Sequence, residues 1–175
     1  MNLYKIMLVD DEEEVRKSII NKIDWADAGF EVIGDAENGK DALEKIEQNE
    51  PDVVLTDIKM PYMDGLTMAE TIRQLYPSVK IVIFSGFDEF EYAKKAIKLN
   101  VIEYILKPVK VEELTAILKK IKKNLDEEIE QKRNVNLLRE SYIKNLPIIR
   151  EHFLNDLIHG GVPRDIIPEK LKEYD

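Results

Sequence analysis

Two textures alternate along the first 120 residues. Short apolar runs fall at 4–9, 32–36, 53–56, 81–84 and 101–106, and longer charged stretches of helical period lie near 12–22, 39–48, 65–75, 88–98 and 111–121. Short apolar runs separated by helices predict βα units, because strands buried on both faces read as continuous hydrophobic stretches. Five strands and five helices make one α/β domain with a doubly wound parallel sheet and the short connections that right-handed crossovers require. The punctuation agrees: Asn38-Gly39 and Met63-Asp64-Gly65 precede helices, Glu50-Pro51-Asp52 precedes the third strand, and Tyr76-Pro77-Ser78 separates the third helix from the fourth strand. In the less regular stretch 23–31, Trp25 is expected to pack the end of the first helix against the sheet.

After residue 111 the pattern changes. Apolar residues recur at Leu114, Leu118, Ile121 and Leu125, then at Ile129, Val135, Leu138, Tyr142, Leu146, Ile149 and Phe153, with charged residues between them. This predicts a long amphipathic helix leaving the domain, interrupted near Gln131–Asn136, with Pro147 beginning a new helix over 147–158. A parallel two-stranded coiled coil would cover the stripe, although Glu128, Lys132 and Arg139 take core positions in one register. The alternative is a helix folded back on its own domain. Beyond His159-Gly160-Gly161, the last 15 residues show no element able to form a core.

The chain has 175 residues and no cysteine, so neither a disulfide nor a thiolate metal site is available. It contains no run of 18 apolar residues, and Met1–Lys5 leads straight into a strand-like run rather than a signal peptide. No membrane span is expected, and the cytoplasm is the expected location. Net charge is −9; residues 121–175 hold 10 Lys/Arg and 11 Asp/Glu, so residues 1–120 carry −8. Neither part has the basic bias of a nucleic-acid footprint.

Charge becomes informative at the ends of the apolar runs. Ile6–Val9 ends in Asp10 and Asp11, Val53–Thr56 ends in Asp57, and the fourth and fifth runs end in Ser85 and Lys107-Pro108. Ligands of doubly wound sheets bind beyond the carboxyl ends of the strands, so these residues are expected to share one cleft. Taken singly each has a local explanation: Asp11 could cap the helix beginning near Glu12, Ser85-Gly86 could be a turn, and Lys107-Pro108 a loop. Together, three carboxylates and a lysine at matching ends describe a site for a divalent cation and a phosphoryl group. Mg²⁺ suits such oxygen ligands, Asp57 can act as a nucleophile on phosphorus, and Lys107 can neutralise phosphoryl charge. No other set competes. His152 and His159 lack companion ligands, no P-loop or Gly-x-Gly-x-x-Gly is present, and Ser85 has no histidine partner within the domain.

The segments Ile6–Glu12, Asp57–Gly65, Ser85-Gly86 and Tyr104–Pro108 resemble the receiver domain of two-component response regulators over residues 1–122. Phe87–Ala96 resembles the YesN-like subgroup, which carries an AraC-type helix-turn-helix output domain after a helical linker; segment 146–160 resembles the start of that linker. The resemblance implies a flavodoxin-like sheet of strand order 2-1-3-4-5, a receiver at 1–122, a helical linker at 123–160 and a poorly ordered tail, or the start of a further region, at 161–175. It implies that Asp57 accepts a phosphoryl group from a histidine kinase. Asp10, Asp11, Asp57 and the backbone carbonyl of Lys59 would bind Mg²⁺. Ser85 would be the switch hydroxyl, Tyr104 the switch aromatic, and Lys107 the phosphate-pairing lysine.

A homodimer is expected through the linker helix or the 88–121 face, with DNA contacted only through a C-terminal output domain absent from this chain. Phe87, two residues beyond Ser85, offers no hydrogen bond to orient water, so slow self-dephosphorylation is expected rather than enzymatic turnover. The alternatives are a standalone receiver acting as an interaction or phosphotransfer module, and a Mg²⁺-dependent phosphatase, for which neither a general acid nor a substrate cap is evident.

Overall fold

A computed structural model of the chain describes residues 3–86, 90–99, 101–163 and 165–173. Along the chain run β1 (Tyr4–Val9), α1 (Glu13–Lys22), α2 (Trp25–Ala28), β2 (Phe30–Ala36), α3 (Gly39–Asn49) and β3 (Val53–Asp57). They are followed by α4 (Gly65–Leu75), β4 (Lys80–Ser85), α5 (Phe90–Lys98), β5 (Glu103–Leu106), α6 (Val111–Ile158) and α7 (Ile167–Glu173). Two compact units result, Met1–Asn124 and Leu125–Asp175.

In the first unit all strands are parallel in the order β2-β1-β3-β4-β5, as expected for a flavodoxin-like fold. The central strands are the most apolar: Ile6–Val9, Val53–Thr56 and Ile81–Ser85 are buried throughout. Successive side chains leave a strand on opposite faces. Met7, Val9, Val54, Ile81 and Ile83 accordingly share a core with Ala42 and Ile46 of α3, Leu66, Met68, Ala69 and Ile72 of α4, and Ala96 of α5. Residues of the other parity, among them Ile6, Leu8, Leu55, Val82 and Phe84, face the opposite side and are equally buried, as are Leu114, Leu118 and Ile121 in the first turns of α6.

The helix starts follow from their caps. The Asn38 side chain accepts from the backbone N–H groups of Lys40 and Asp41, each at 3.0 Å, at the head of α3, and Asp64 accepts from Thr67 N–H at 2.7 Å at the head of α4. Asp11 plays no such part: the residue at the N-terminal boundary of α1 is Glu12, and it makes no side-chain cap. The 23–31 stretch contains the short α2, closed by Gly29 in the left-handed conformation (φ 91°). Trp25 is half-buried, and its indole N–H donates to the carbonyl of Ile20 at 2.9 Å, tying α2 to the last turn of α1.

The second unit corrects the expected breaks. No interruption occurs at 131–136, and Pro147 lies inside α6 rather than opening a new helix. Residues 130–133 are Glu, Gln, Lys and Arg, all strong helix formers, so the loss of apolar periodicity there is no loss of helical propensity. Helical turns on both sides hold Pro147 in place despite its missing N–H. From Val135 the apolar positions run Leu138, Tyr142, Leu146, Ile149, Phe153 and Leu157, a repeating 3-4-4 spacing, and Val135, Leu138, Tyr142 and Ile149 are exposed. The 161–175 stretch, expected to be a poorly ordered tail or the start of a further region, carries α7.

Candidate functional site

Strand register brings the predicted residues together. Val9 lies level with Thr56, so the next residues, Asp10 and Asp57, emerge side by side from β1 and β3. Asp57 is level with Phe84, and Ser85 with Leu106, which sets Lys107 just beyond the end of β5. Carboxylate oxygens of Asp10, Asp11 and Asp57 all lie within 4.8 Å of one another. Asp10 is buried, Asp57 partly so, and Asp11 exposed, which makes a pocket with a closed floor and one open side.

Like charges at this spacing repel, and Lys107 offsets the repulsion. Its ammonium donates to Asp10 Oδ2 at 2.9 Å and to Asp57 Oδ2 at 2.8 Å. Burial pushes the Lys107 pKa down, and the hydrogen bonds and charges of the two carboxylates push it up by more, so it lies above the usual lysine value. The remaining carboxylate oxygens are held by backbone: Asp10 Oδ1 accepts from Glu12 N–H at 2.9 Å and Asp57 Oδ1 from Ile58 N–H at 2.7 Å. Lys107 is fixed in turn, its backbone N–H donating to the Ser85 carbonyl at 2.7 Å. The Lys107–Pro108 peptide bond is cis.

Ser85 is fully buried at the end of β4, and its hydroxyl donates to the Gly86 carbonyl at 3.2 Å. Tyr104 packs against the α3–α4–α5 side of the core, and its hydroxyl oxygen is buried with no hydrogen-bond partner among the described residues. Lys59 is exposed on the loop after β3. Phe87 lies outside the described residues.

Three supporting residues were missed by sequence reasoning. Arg16 of α1 donates through Nη1 to the Asp10 carbonyl at 2.5 Å and through Nε to Asp35 Oδ2 at 2.6 Å. Its only sequence signal is a charge on the apolar face formed with Ile19, Ile20 and Ile23. The buried Thr56 hydroxyl donates to the Asp57 carbonyl at 2.8 Å. Gly65 lets α4 start against the acceptor strand: a Cβ there would sit 2.0 Å from the Asp57 carbonyl oxygen, and the Gly65 N–H donates to the Ile58 carbonyl at 2.9 Å.

Three hard oxygen donors around one point, one of them open to solvent, fit a small divalent cation such as Mg²⁺ that keeps several waters. A doubly wound domain with this triad and a lysine at the carboxyl edge of its sheet is a flavodoxin-like module built around a cation and phosphoryl pocket. The chain belongs to the response regulator receiver domain family, whose profile matches residues 6–119. Members accept a phosphoryl group rather than turn over a substrate, and membership implies a histidine kinase as partner.

Among curated proteins, the chain is 46% identical over 99 residues to the uncharacterized transcriptional regulatory protein YesN of Bacillus subtilis, a match covering 57% of this chain and 27% of that protein. It is 35% identical over 101 residues to the transcriptional regulatory protein HptR of Staphylococcus aureus, covering 58% of this chain and 39% of HptR. The chain thus spans less than half the length of these relatives. Among solved structures, the receiver domain of AraT, a response regulator from Geobacillus stearothermophilus, superposes with a TM-score of 0.69 at 38% identity, covering 72% of this chain and 98% of that one. A two-component transcriptional regulator AraC from Clostridium phytofermentans gives a TM-score of 0.63 at 37% identity, covering 67% and 91%. Among the described residues no helix is long and apolar enough to cross a membrane.

Proposed function

We propose that this chain is the phosphorylation-controlled part of a cytoplasmic transcription regulator of the YesN-like kind, with Asp57 as the phosphoacceptor. The observation that carries the reading is the Lys107 ammonium set between the Asp10 and Asp57 carboxylates. A carboxylate oxygen of Asp57 forms the new O–P bond as the P–N bond of the kinase phosphohistidine breaks, the imidazole nitrogen keeping the electron pair. Asp10, Asp11, Asp57 and the Lys59 carbonyl would hold Mg²⁺, which would supply charge neutralisation on the phosphoryl oxygens. Lys107 leaves its carboxylate partners to pair with the phosphoryl group, and the Ser85 hydroxyl turns from Gly86 to hydrogen-bond it.

Tyr104 follows Ser85. Its buried hydroxyl, unpartnered among the described residues, supports a ring that moves between two packings, since such a group is costly to leave in place. The β4 and β5 ends shift with it, and α6, which starts five residues after Leu106, carries the change onward. The exposed stripe from Val135 to Leu157 supports a homodimer through α6. Its 3-4-4 spacing is an 11-residue repeat, which favours a straight or right-handed pairing rather than a left-handed heptad coil. DNA would be contacted by an output domain outside this chain. A standalone receiver is the second reading, and the similarity to transcriptional regulators argues against it.

The test is phosphorylation by acetyl phosphate with Mg²⁺, followed by mass and by sedimentation. A single phosphoryl group that Asp57→Asn abolishes, with a shift in oligomeric state, is the expected result. Phosphoryl uptake by Asp57→Asn would overturn the assignment, and an unchanged oligomeric state would remove α6 from the switch.

A further inference from the structure

The loop between β3 and α4 holds an aromatic side chain in an uncommon position. Tyr62 has φ 65°, a left-handed conformation that bulky residues rarely adopt. The Met63 N–H donates to the Pro61 carbonyl at 2.7 Å across it, which makes Tyr62 the centre of a γ-turn of the strained, positive-φ kind. The strain is over-determined by its surroundings. The Met63 carbonyl accepts from Gly39 N–H at 3.1 Å, the Met63 side chain lies so close to Gly39 that a Cβ there would come within 2.8 Å of it, and Asp64 caps α4. Every neighbour is thus tied down, yet the Tyr62 side chain is 91% exposed. A fold that wanted only a turn here would be better served by glycine or asparagine.

The position gives the exposed ring a use. Tyr62 lies five residues beyond Asp57, on a loop whose far end, Gly65, is pressed against the Asp57 carbonyl. Asp11, Glu12, Glu13 and Asp64 are exposed at the neighbouring strand and helix ends, and Lys59 is exposed on the same loop. Tyrosine offers a protein partner apolar area and a hydrogen bond without adding charge, and its two side-chain torsions lose little entropy on docking.

We propose that Tyr62 is a docking anchor for the phosphohistidine-bearing domain of the kinase, held rigidly beside the acceptor so that the donor histidine is aimed at Asp57. This rests on the phosphoacceptor reading above and adds to it the residue that selects the protein donor over a small one. The strain at Tyr62 is a stability cost retained for the contact.

The experiment compares the 175-residue chain with Tyr62→Gly and Tyr62→Phe, using two donors. One is acetyl phosphate; the other is whichever of a panel of autophosphorylated histidine kinase cytoplasmic domains transfers fastest to the wild-type chain. Tyr62→Gly is expected to melt at or above the wild-type temperature, to accept from acetyl phosphate at the wild-type rate, and to accept from the kinase about 30-fold more slowly, the size of a docking hot spot. Tyr62→Phe is expected to keep most of the kinase rate. Kinase transfer to Tyr62→Gly at the wild-type rate would overturn the proposal, as would an equal loss with both donors, which would place Tyr62 in the pocket itself. A wild-type chain that accepts from neither donor would instead refute the phosphoacceptor reading.

Discussion

Arg16 grips the backbone of Asp10 rather than its carboxylate, donating to the Asp10 carbonyl at 2.5 Å while its Nε holds Asp35 at 2.6 Å. The guanidinium is 11% exposed, so it fixes the floor of the acidic pocket from behind without entering it. Replacing it with methionine keeps much of the volume and removes both bonds. A charged hydrogen bond contributes about 1.5–3 kcal/mol, so Arg16→Met is expected to lower stability by that order. Mg²⁺ affinity should fall with it, and calorimetric titration of wild type and variant with the ion checks this.

Lys107→Met separates two effects. With no ion bound, Asp10 and Asp57 lose their shared cation and repel, so denaturant unfolding should show a less stable chain. Mg²⁺ no longer competes with the ammonium, so its affinity should rise, while binding of beryllium fluoride should weaken. A variant that bound Mg²⁺ more weakly than wild type would show that Lys107 organises the carboxylates rather than competing for them.

The raised pKa of Lys107 fixes a pH dependence for the ion-free chain. The group holds its proton more tightly folded than unfolded. Its contribution to stability is therefore complete below the unfolded lysine value of about 10.4 and is lost as pH climbs through the higher folded value. Unfolding free energy measured through the alkaline range should fall more steeply for wild type than for Lys107→Met.

Gly65→Ala tests the close approach of α4 to the acceptor strand. The added Cβ would lie 2.0 Å from the Asp57 carbonyl oxygen, a backbone atom that can yield only by moving Asp57. Destabilisation at the upper end of the ~1–3 kcal/mol range for overpacking is expected, with a slower reaction with acetyl phosphate. Thermal unfolding and the phosphorylation rate are the two readouts.

Pro147 provides a test in the second unit. Within α6 it lacks the N–H that would meet the Ile143 carbonyl one turn back. Pro147→Ala should therefore raise helical content and melting temperature, proline being about 3 kcal/mol less favourable than alanine inside a helix. Circular dichroism on heating decides it.

What the sequence made legible follows from where each signal resides. The parallel sheet and the shared position of Asp10, Asp57, Ser85 and Lys107 could be expected because apolar runs end where the strands end, and those ends meet by topology; the strand order came from the family resemblance. Arg16, Thr56 and Gly65 escaped because their roles depend on backbone atoms of Asp10 and Asp57, and main-chain contacts leave little trace in residue type. The breaks expected in α6 were an error of signal: the loss of an apolar stripe at 131–136 marks a change in what the helix faces, not its end. The φ of Tyr62 was invisible for the opposite reason, since tyrosine argues against the conformation it adopts.

The double contact of Lys107 has a consequence for the life of the chain between signals. Its ammonium behaves as a tethered counterion: the two carboxylates are already neighbours of a positive charge delivered by the chain itself. Part of the repulsion that the fold builds into this acidic corner is therefore offset from within the chain. The same tether keeps the resting pocket quiet, because any incoming cation must first compete with a charge that cannot diffuse away.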